Sequence, residues 1–146
     1  MSFLLDTNVV SELRKAKAGR ADPNVVRWSL SVPLEALYIS VVTVLEIEIG
    51  ILRLERRDVA QSALLRRWLE EQVLSGFESR ILPIETRTAI HCARLHVPDP
   101  RSERDALIAA SAIENGLAVV TRNVSDFSGL GVKLIDPWTF DETSGE

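Results

Sequence analysis

Residues 1–12 read MSFLLDTNVVSE. Phe3-Leu4-Leu5 is a short apolar run with the look of a buried strand. It stops at Asp6, and the chain turns polar through Thr7 and Asn8 before Val9-Val10 resumes an apolar pattern. A carboxylate at the end of a buried strand has two readings. It caps the helix after it, or it stands at the mouth of a sheet where ligands bind.

Working outward, residues 2–5 form a first strand and 7–14 a helix, with a basic loop, KAKAGRAD, at 15–22. Pro23 suits the first position of a helix over Asn24 to Leu30. Leu37-Tyr38-Ile39 is a second strand, with Ser40 placed to cap the next segment. The segment Thr43 to Arg57 fits strand alternation at Ile47, Ile49 and Ile51, and helix spacing at Val44, Ile47, Ile51 and Leu54. Helix is the expectation, because Thr43-x-x-Glu46 matches a capping box. Residues 58–74 predict one long amphipathic helix with Leu64, Leu65, Trp68, Leu69 and Val73 on one face. Ile81 to Ile84 is a third strand, Thr86 to Val97 a helix, and Pro98 and Pro100 mark a loop. A helix over 103–115 ends at Asn115-Gly116. Leu117 to Val120 and Val132 to Ile135 are the last strands. Strands alternating with helices predict an α/β fold with a parallel sheet of about five short strands.

The chain of 146 residues, 46% hydrophobic and 26% charged, suits one globular domain over 1–146, with its core at about 2–140 and a flexible tail at 141–146. No window approaches the ~20 apolar residues of a membrane span, and the N-terminus lacks a basic leader. The expectation is a cytoplasmic protein without a membrane role. Its single cysteine, Cys92, allows no internal disulfide or CxxC knuckle and reads as a small core residue. A net charge of −4 argues against a general nucleic-acid binder. Two divalent cations would cancel it.

Four acids fall at comparable places. Asp6 comes after the first strand, Glu46 lies near the start of the helix after the second, and Asp105 lies in the first turn of the helix from 103. Asp126 lies in the polar connection after the fourth strand. Thr43-x-x-Glu46, Ser102-x-x-Asp105 and Asn123-x-x-Asp126 each have capping-box spacing, so each acid alone is adequately explained as a cap. Together they are not. A parallel sheet brings its strand ends and helix starts to one edge, where four carboxylates would repel. A counter-charge is required, and oxygen-only ligation favours Mg²⁺, with Mn²⁺ as a substitute. Such ions support phosphoryl chemistry.

LLDTNVVSE, TVLEIEIG, RDALIAASA and VVTRNVSDF, taken in order, resemble the motifs of the PIN-domain ribonucleases. They are most similar to the toxins of VapBC-type and FitAB-type toxin–antitoxin pairs. The resemblance runs from about Phe3 to Phe140. It implies a PIN fold and a Mg²⁺-dependent endoribonuclease that cleaves a phosphodiester by metal-activated water. The family's acids fall on Asp6, Glu46 and Asp105. Asn123 departs from one family pattern for the fourth, which Asp126 would then supply. Thr7, Asn8, Thr121 and Asn123 match supporting polar positions. Implied partners are an RNA substrate, a cognate antitoxin and a second copy of the chain. A larger assembly would bind operator DNA through the antitoxin.

Arg104 and Arg122 adjoin site acids and suit phosphate oxygens. Arg14, Lys15, Lys17 and Arg20 either track an RNA backbone or form a solvated loop. His91 and His96 are poorly spaced for a metal. Trp138 and Phe140 read as a core lid or an interface rather than as base-stacking residues. A dehalogenase-type phosphatase would want an acid where Asn8 stands, and dinucleotide binding lacks its Gly-rich turn. The remaining alternative is a catalytically inactive PIN module that binds RNA or protein, against which the four acids argue.

Overall fold

The computed structural model describes residues 1–142. The tail expected over 141–146 falls mostly on 143–146, outside the described residues. Strands β1 (Phe3–Leu5), β2 (Leu37–Ser40), β3 (Ile81–Leu82), β4 (Ala118–Val120) and β5 (Leu134–Ile135) form one parallel sheet in the order β3-β2-β1-β4-β5. Chain order runs outward in both directions from β1, so the carboxyl ends of β1 and β4 flank the switch point where α/β sheets open a crevice. Asp6 and Thr121 are the residues just past those two ends.

The strands are two to four residues long, so the faces beside them must supply most of the core. Phe3 and Leu5 point to one face with Val9 and Val10 of α1 (Thr7–Arg14), Val25 and Trp28 of α2 (Pro23–Leu30), and Ile47 and Ile51 of α3 (Val41–Glu55). Trp28 meets Phe3 edge-on at 5.2 Å between ring centres. Leu4 points to the other face, against Ile108, Ala109 and Ala112 of α6 (Glu103–Asn115) and Phe127 of α7 (Val124–Phe127). The alanines bring α6 close to the sheet, and Gly116 ends it at φ +65°, a conformation that favours glycine. Trp138 and Phe140 are half-buried against the first face, as expected of a lid.

Three local expectations are corrected. α3 begins at Val41, because the Ser40 hydroxyl accepts from the Val42 N–H at 3.0 Å. Thr43 is therefore inside the helix, the Thr43–Glu46 capping box does not form, and Glu46 sits one turn further in. Ser102 precedes α6 but makes no side-chain capping bond. The single helix expected over 58–74 is an α-helix, α4 (Val59–Trp68), continued by a π-helical turn, Leu69–Leu74. Leu69 and Val73 are buried, whereas Leu64, at the edge of the expected apolar face, is 58% exposed. The α4 arm is held to α3 by a two-pronged ion pair between Arg66 and Glu48. α5 (Thr86–Leu95) packs beside α6.

This layering sets a stability contrast. Leu4→Ala removes a fully buried side chain between the sheet and α6. It should cost ~3 kcal/mol in urea denaturation at unchanged m-value. Leu64→Ala should stay within ~0.5 kcal/mol. Equal losses would restore the continuous apolar face through Leu64.

Candidate active site

Asp6 fulfils both readings of its position. Its backbone N–H continues the ladder to the Val120 carbonyl at 2.9 Å, which fixes it against β4. One carboxylate oxygen, Oδ1, caps α1 by accepting from the Thr7 N–H at 2.8 Å. The other accepts from the Thr121 hydroxyl at 2.8 Å and, more weakly, from Asn8 Nδ2 at 3.3 Å. Thr121 is fully buried, and its oxygen also accepts the Asn123 N–H at 3.0 Å. Asn8 Oδ1 accepts the Arg122 N–H at 3.2 Å. Thr7, Asn8, Thr121 and Asn123 thus join the exit of β1 to the exit of β4. Burial raises the Asp6 pKa, while the Thr121 and Thr7 bonds work against that rise.

Glu46 reaches the same edge from α3. The Thr7 hydroxyl donates to its Oε1 at 2.6 Å and lies 3.0 Å from the hydroxyl of the buried Thr43. Thr43, expected as a cap, instead braces Thr7 beneath Glu46. The other Glu46 oxygen lies 3.5 Å from Arg104 Nη1. Arg104 therefore stands at the site as the counter-ion of Glu46.

Asp105 completes the convergence from the first turn of α6. Burial is the first cause of its rise to about 6, with the charges of Asp6, Asp126 and Glu46 behind it. The Ser102 hydroxyl opposes this weakly. Asp126, exposed on α7, contributes to raising both Asp6 and Asp105, so the four acids share one field. Asn123 N-caps α7 through its backbone, with no side-chain cap. Arg101 places this element: its Nη2 donates to the carbonyls of Asp126 at 3.0 Å and Ser128 at 2.8 Å. Nothing in the local sequence signals that role.

The second arginine is elsewhere. Arg122 projects its guanidinium over the Trp138 ring at 5.0 Å, on the α2 side. No three of the four acids bring oxygens within 4.8 Å of one another. Among the described residues the only group of His, Cys and carboxylate ligands that close is Cys92, His96 and Glu103. It is poorly disposed for a metal. The Arg101 N–H donates to His96 Nδ1 at 3.1 Å, which leaves the imidazole proton on Nε2, the atom facing the group. Cys92 is buried, with its thiol pKa raised by burial and by Glu103, in keeping with a core residue.

Residues 3–131 match the family model of the PIN domain. The chain is 35% identical to the VapC ribonuclease Y4jK of Sinorhizobium fredii over 144 residues, 93% of this chain and 97% of that protein. It is 36% identical to the toxin FitB of Neisseria gonorrhoeae over 144 residues, 93% and 98% of the two chains. A solved structure of FitAB bound to a DNA fragment superposes with a TM-score of 0.84 at 30% identity, covering 95% of this chain and 97% of that one. A buried aspartate at the β1–β4 switch point, ringed by three acids from α3, α6 and α7, thus occurs on a chain that belongs to the PIN-domain family, in its VapC- and FitB-like branch.

Proposed function

We propose that the chain is a metal-dependent endoribonuclease and the toxin of a toxin–antitoxin pair in the cytoplasm. The observation that carries this reading is the convergence of Asp6, Glu46, Asp105 and Asp126 on one sheet edge, where burial first, and then the charges of the other three, raise Asp105 to about 6. These residues fit a hard divalent cation: every donor is a carboxylate oxygen, and their mutual repulsion calls for positive charge. Asp6, Glu46, Asp105 and Asp126 would hold Mg²⁺, or Mn²⁺ in its place. Bound there, the ion would polarise a phosphoryl oxygen and ease deprotonation of the attacking water.

The chain's own residues do the positioning. Thr121 and the Thr7 N–H hold Asp6 in one rotamer and favour its ionised form. Thr7, braced by Thr43, aims Glu46. Arg104 neutralises Glu46 while the site is empty of substrate and is within reach of a phosphate when Glu46 turns to a cation.

Asp6→Asn should abolish cleavage and spare the fold, because the amide oxygen still accepts from the Thr7 N–H and the amide NH2 can donate to the Thr121 hydroxyl oxygen. A purified variant, folded by circular dichroism, that cuts RNA at the parental rate would overturn the assignment. For the fourth position, Asp126→Ala should raise the half-saturating Mg²⁺ concentration more than Asn123→Ala does.

The same acids set a pH dependence. An acid with a raised native pKa binds its proton more tightly in the folded state. The stability it contributes is complete below the unfolded value of 3.8 and is lost as pH rises through about 6. Asp6 has the same sign. Glu12 and Glu48 are shifted downward, so their opposite effect lies below pH 4.5. In EDTA the melting temperature should therefore fall between about pH 5 and pH 7.5. Asp105→Asn should flatten that fall and melt higher at the alkaline end. Mg²⁺ should raise the parental melting temperature more than the variant's. A variant less stable than the parent at the alkaline end in EDTA would return Asp105 to a purely structural role.

The same pocket suggests how an antitoxin would act. A partner tail placing an Arg or Lys among Asp6, Glu46 and Asp105 would compete with Mg²⁺, each weakening the other by the same factor. The exposed Leu45, Leu52 and Leu64 offer apolar surface to a second copy or to that tail. Calorimetry of the partner across a Mg²⁺ series tests the linkage. An affinity indifferent to Mg²⁺ would place inhibition away from the acids.

A further inference from the structure

A groove of about 320 Å³ opens from the acid edge between α1, α3 and α4. That is at the lower end of small-ligand clefts, ~300–1,000 Å³. Thr7 and Glu46 line its near end, so it is continuous with the site. Arg57 and Arg14 line its far part, with Trp68, Leu54 and Leu65 as its apolar walls. Glu46 is the only acid along it among the described residues. Arg57 makes no ion pair among the described residues. The Arg14 guanidinium stands over the Trp68 ring at 5.8 Å. The same Trp68–Arg14 ridge forms a wall of a second cavity of about 380 Å³, which Lys17 also lines.

Gly50 lies on the floor of this groove, in the middle of α3. Glycine inside a helix weakens it relative to alanine, because it leaves the unfolded chain more freedom. Such a residue is usually retained because a Cβ would collide with something. Here a Cβ would meet no atom within 4 Å outside the helix's own backbone, and the residue's φ is ordinary. Packing within the chain therefore gives no reason for glycine at 50. The space a side chain would take is the groove itself.

We propose that this groove is the subsite for a nucleotide of single-stranded RNA flanking the scissile phosphate. One base would stack on Trp68 in place of the Arg14 guanidinium, which would turn with Arg57 to the backbone phosphates, and Gly50 would keep the floor low enough for the strand. The inference rests on the ribonuclease reading and names where that enzyme holds its substrate. Charge complementarity favours this occupant. The groove leads away from a carboxylate cluster, which repels a polyanion, towards two arginines and an aromatic face, which attract one. Stacking tolerates any base and requires unpaired nucleotides, so the subsite selects strand state rather than sequence.

Fluorescence anisotropy tests the proposal, with a labelled random-sequence single-stranded RNA octamer in EDTA, where no cleavage occurs. Trp68→Ala should weaken binding roughly tenfold. Gly50→Leu, which fills the groove without removing any contact, should weaken it at least as much while leaving the melting temperature unchanged or higher. Arg14→Gln and Arg57→Gln should each lower the slope of log affinity against log salt by about 0.7. Asp6→Asn should bind as tightly as the parent or more so. Parental affinity in both Trp68→Ala and Gly50→Leu would overturn the proposal. So would a Gly50→Leu variant that loses a co-purified protein partner but keeps its RNA affinity, since the groove would then belong to a polypeptide. The two readings fail separately. Groove variants that weaken RNA binding, in a protein that never cuts RNA with Mg²⁺, would leave the subsite standing and remove the nuclease. Groove variants that cut with parental KM would do the reverse.

Discussion

The hydrogen bond from the buried Thr121 hydroxyl to Asp6 is the constraint on which the rest depends. It spans 115 residues of sequence and joins the exits of the two strands between which the sheet reverses its order. A carboxylate that is only 6% exposed is costly to keep charged. Thr121, the Thr7 N–H and Asn8 are the groups that make it tolerable. Each of them has a second duty: Thr7 aims Glu46, Thr121 receives the Asn123 N–H, and Asn8 receives the Arg122 N–H. The site is thus locked from one residue outward, and its geometry is inseparable from the packing of β1 against β4.

That arrangement sets stability against the proposed activity. A fold optimised for stability alone would not aim acids from α3, α6 and α7 at an aspartate already short of solvent. Arg104 relieves Glu46, but among the described residues no comparable ion pair reaches Asp105, whose pKa is raised first by burial and then by the neighbouring acids. The opposition also accounts for the form of the surroundings. The acids are set just past a strand end and within the first two turns of helices rather than on long loops, because mutually repelling groups on a mobile segment would move apart. Rigid placement keeps the repulsion available to be relieved by a cation.

Much of this was legible in the sequence because its signals are local. The apolar run ending at Asp6, Pro23 before a helix, and Asn115-Gly116 after one are determined by neighbours in the chain, and the elements formed where expected. The four acids were legible as a group because a parallel sheet leaves little choice of edge for them. Features that depend on contacts between distant segments were not legible. Thr43-x-x-Glu46 has the spacing of a cap, but Ser40 had already taken that function, and only burial beneath Thr7 distinguishes the two. The π-helical turn after Trp68 arises from how Leu69 and Val73 meet the core. Arg122 adjoins the supporting residues Thr121 and Asn123 as Arg104 adjoins Asp105, yet its guanidinium stands over the Trp138 ring rather than against a site acid.

For a protein with net charge −4 to act on a polyanion, as proposed, its charges must be separated in space. Here the acids gather at one end of the groove and Arg14 and Arg57 at the other, with Trp68 and Gly50 between them. With the acids uncompensated, a nucleic-acid strand on the arginines would be pushed away from the reactive edge. With them neutralised by cations, the whole surface becomes attractive and the strand can lie across both halves. Over distances near the ~8–10 Å Debye length of physiological salt, this change of sign acts between neighbours in the groove but hardly beyond it. On the proposed ribonuclease reading, substrate attraction and metal occupancy would be one electrostatic event, and RNA would lie across the acid edge only in the metal-loaded state.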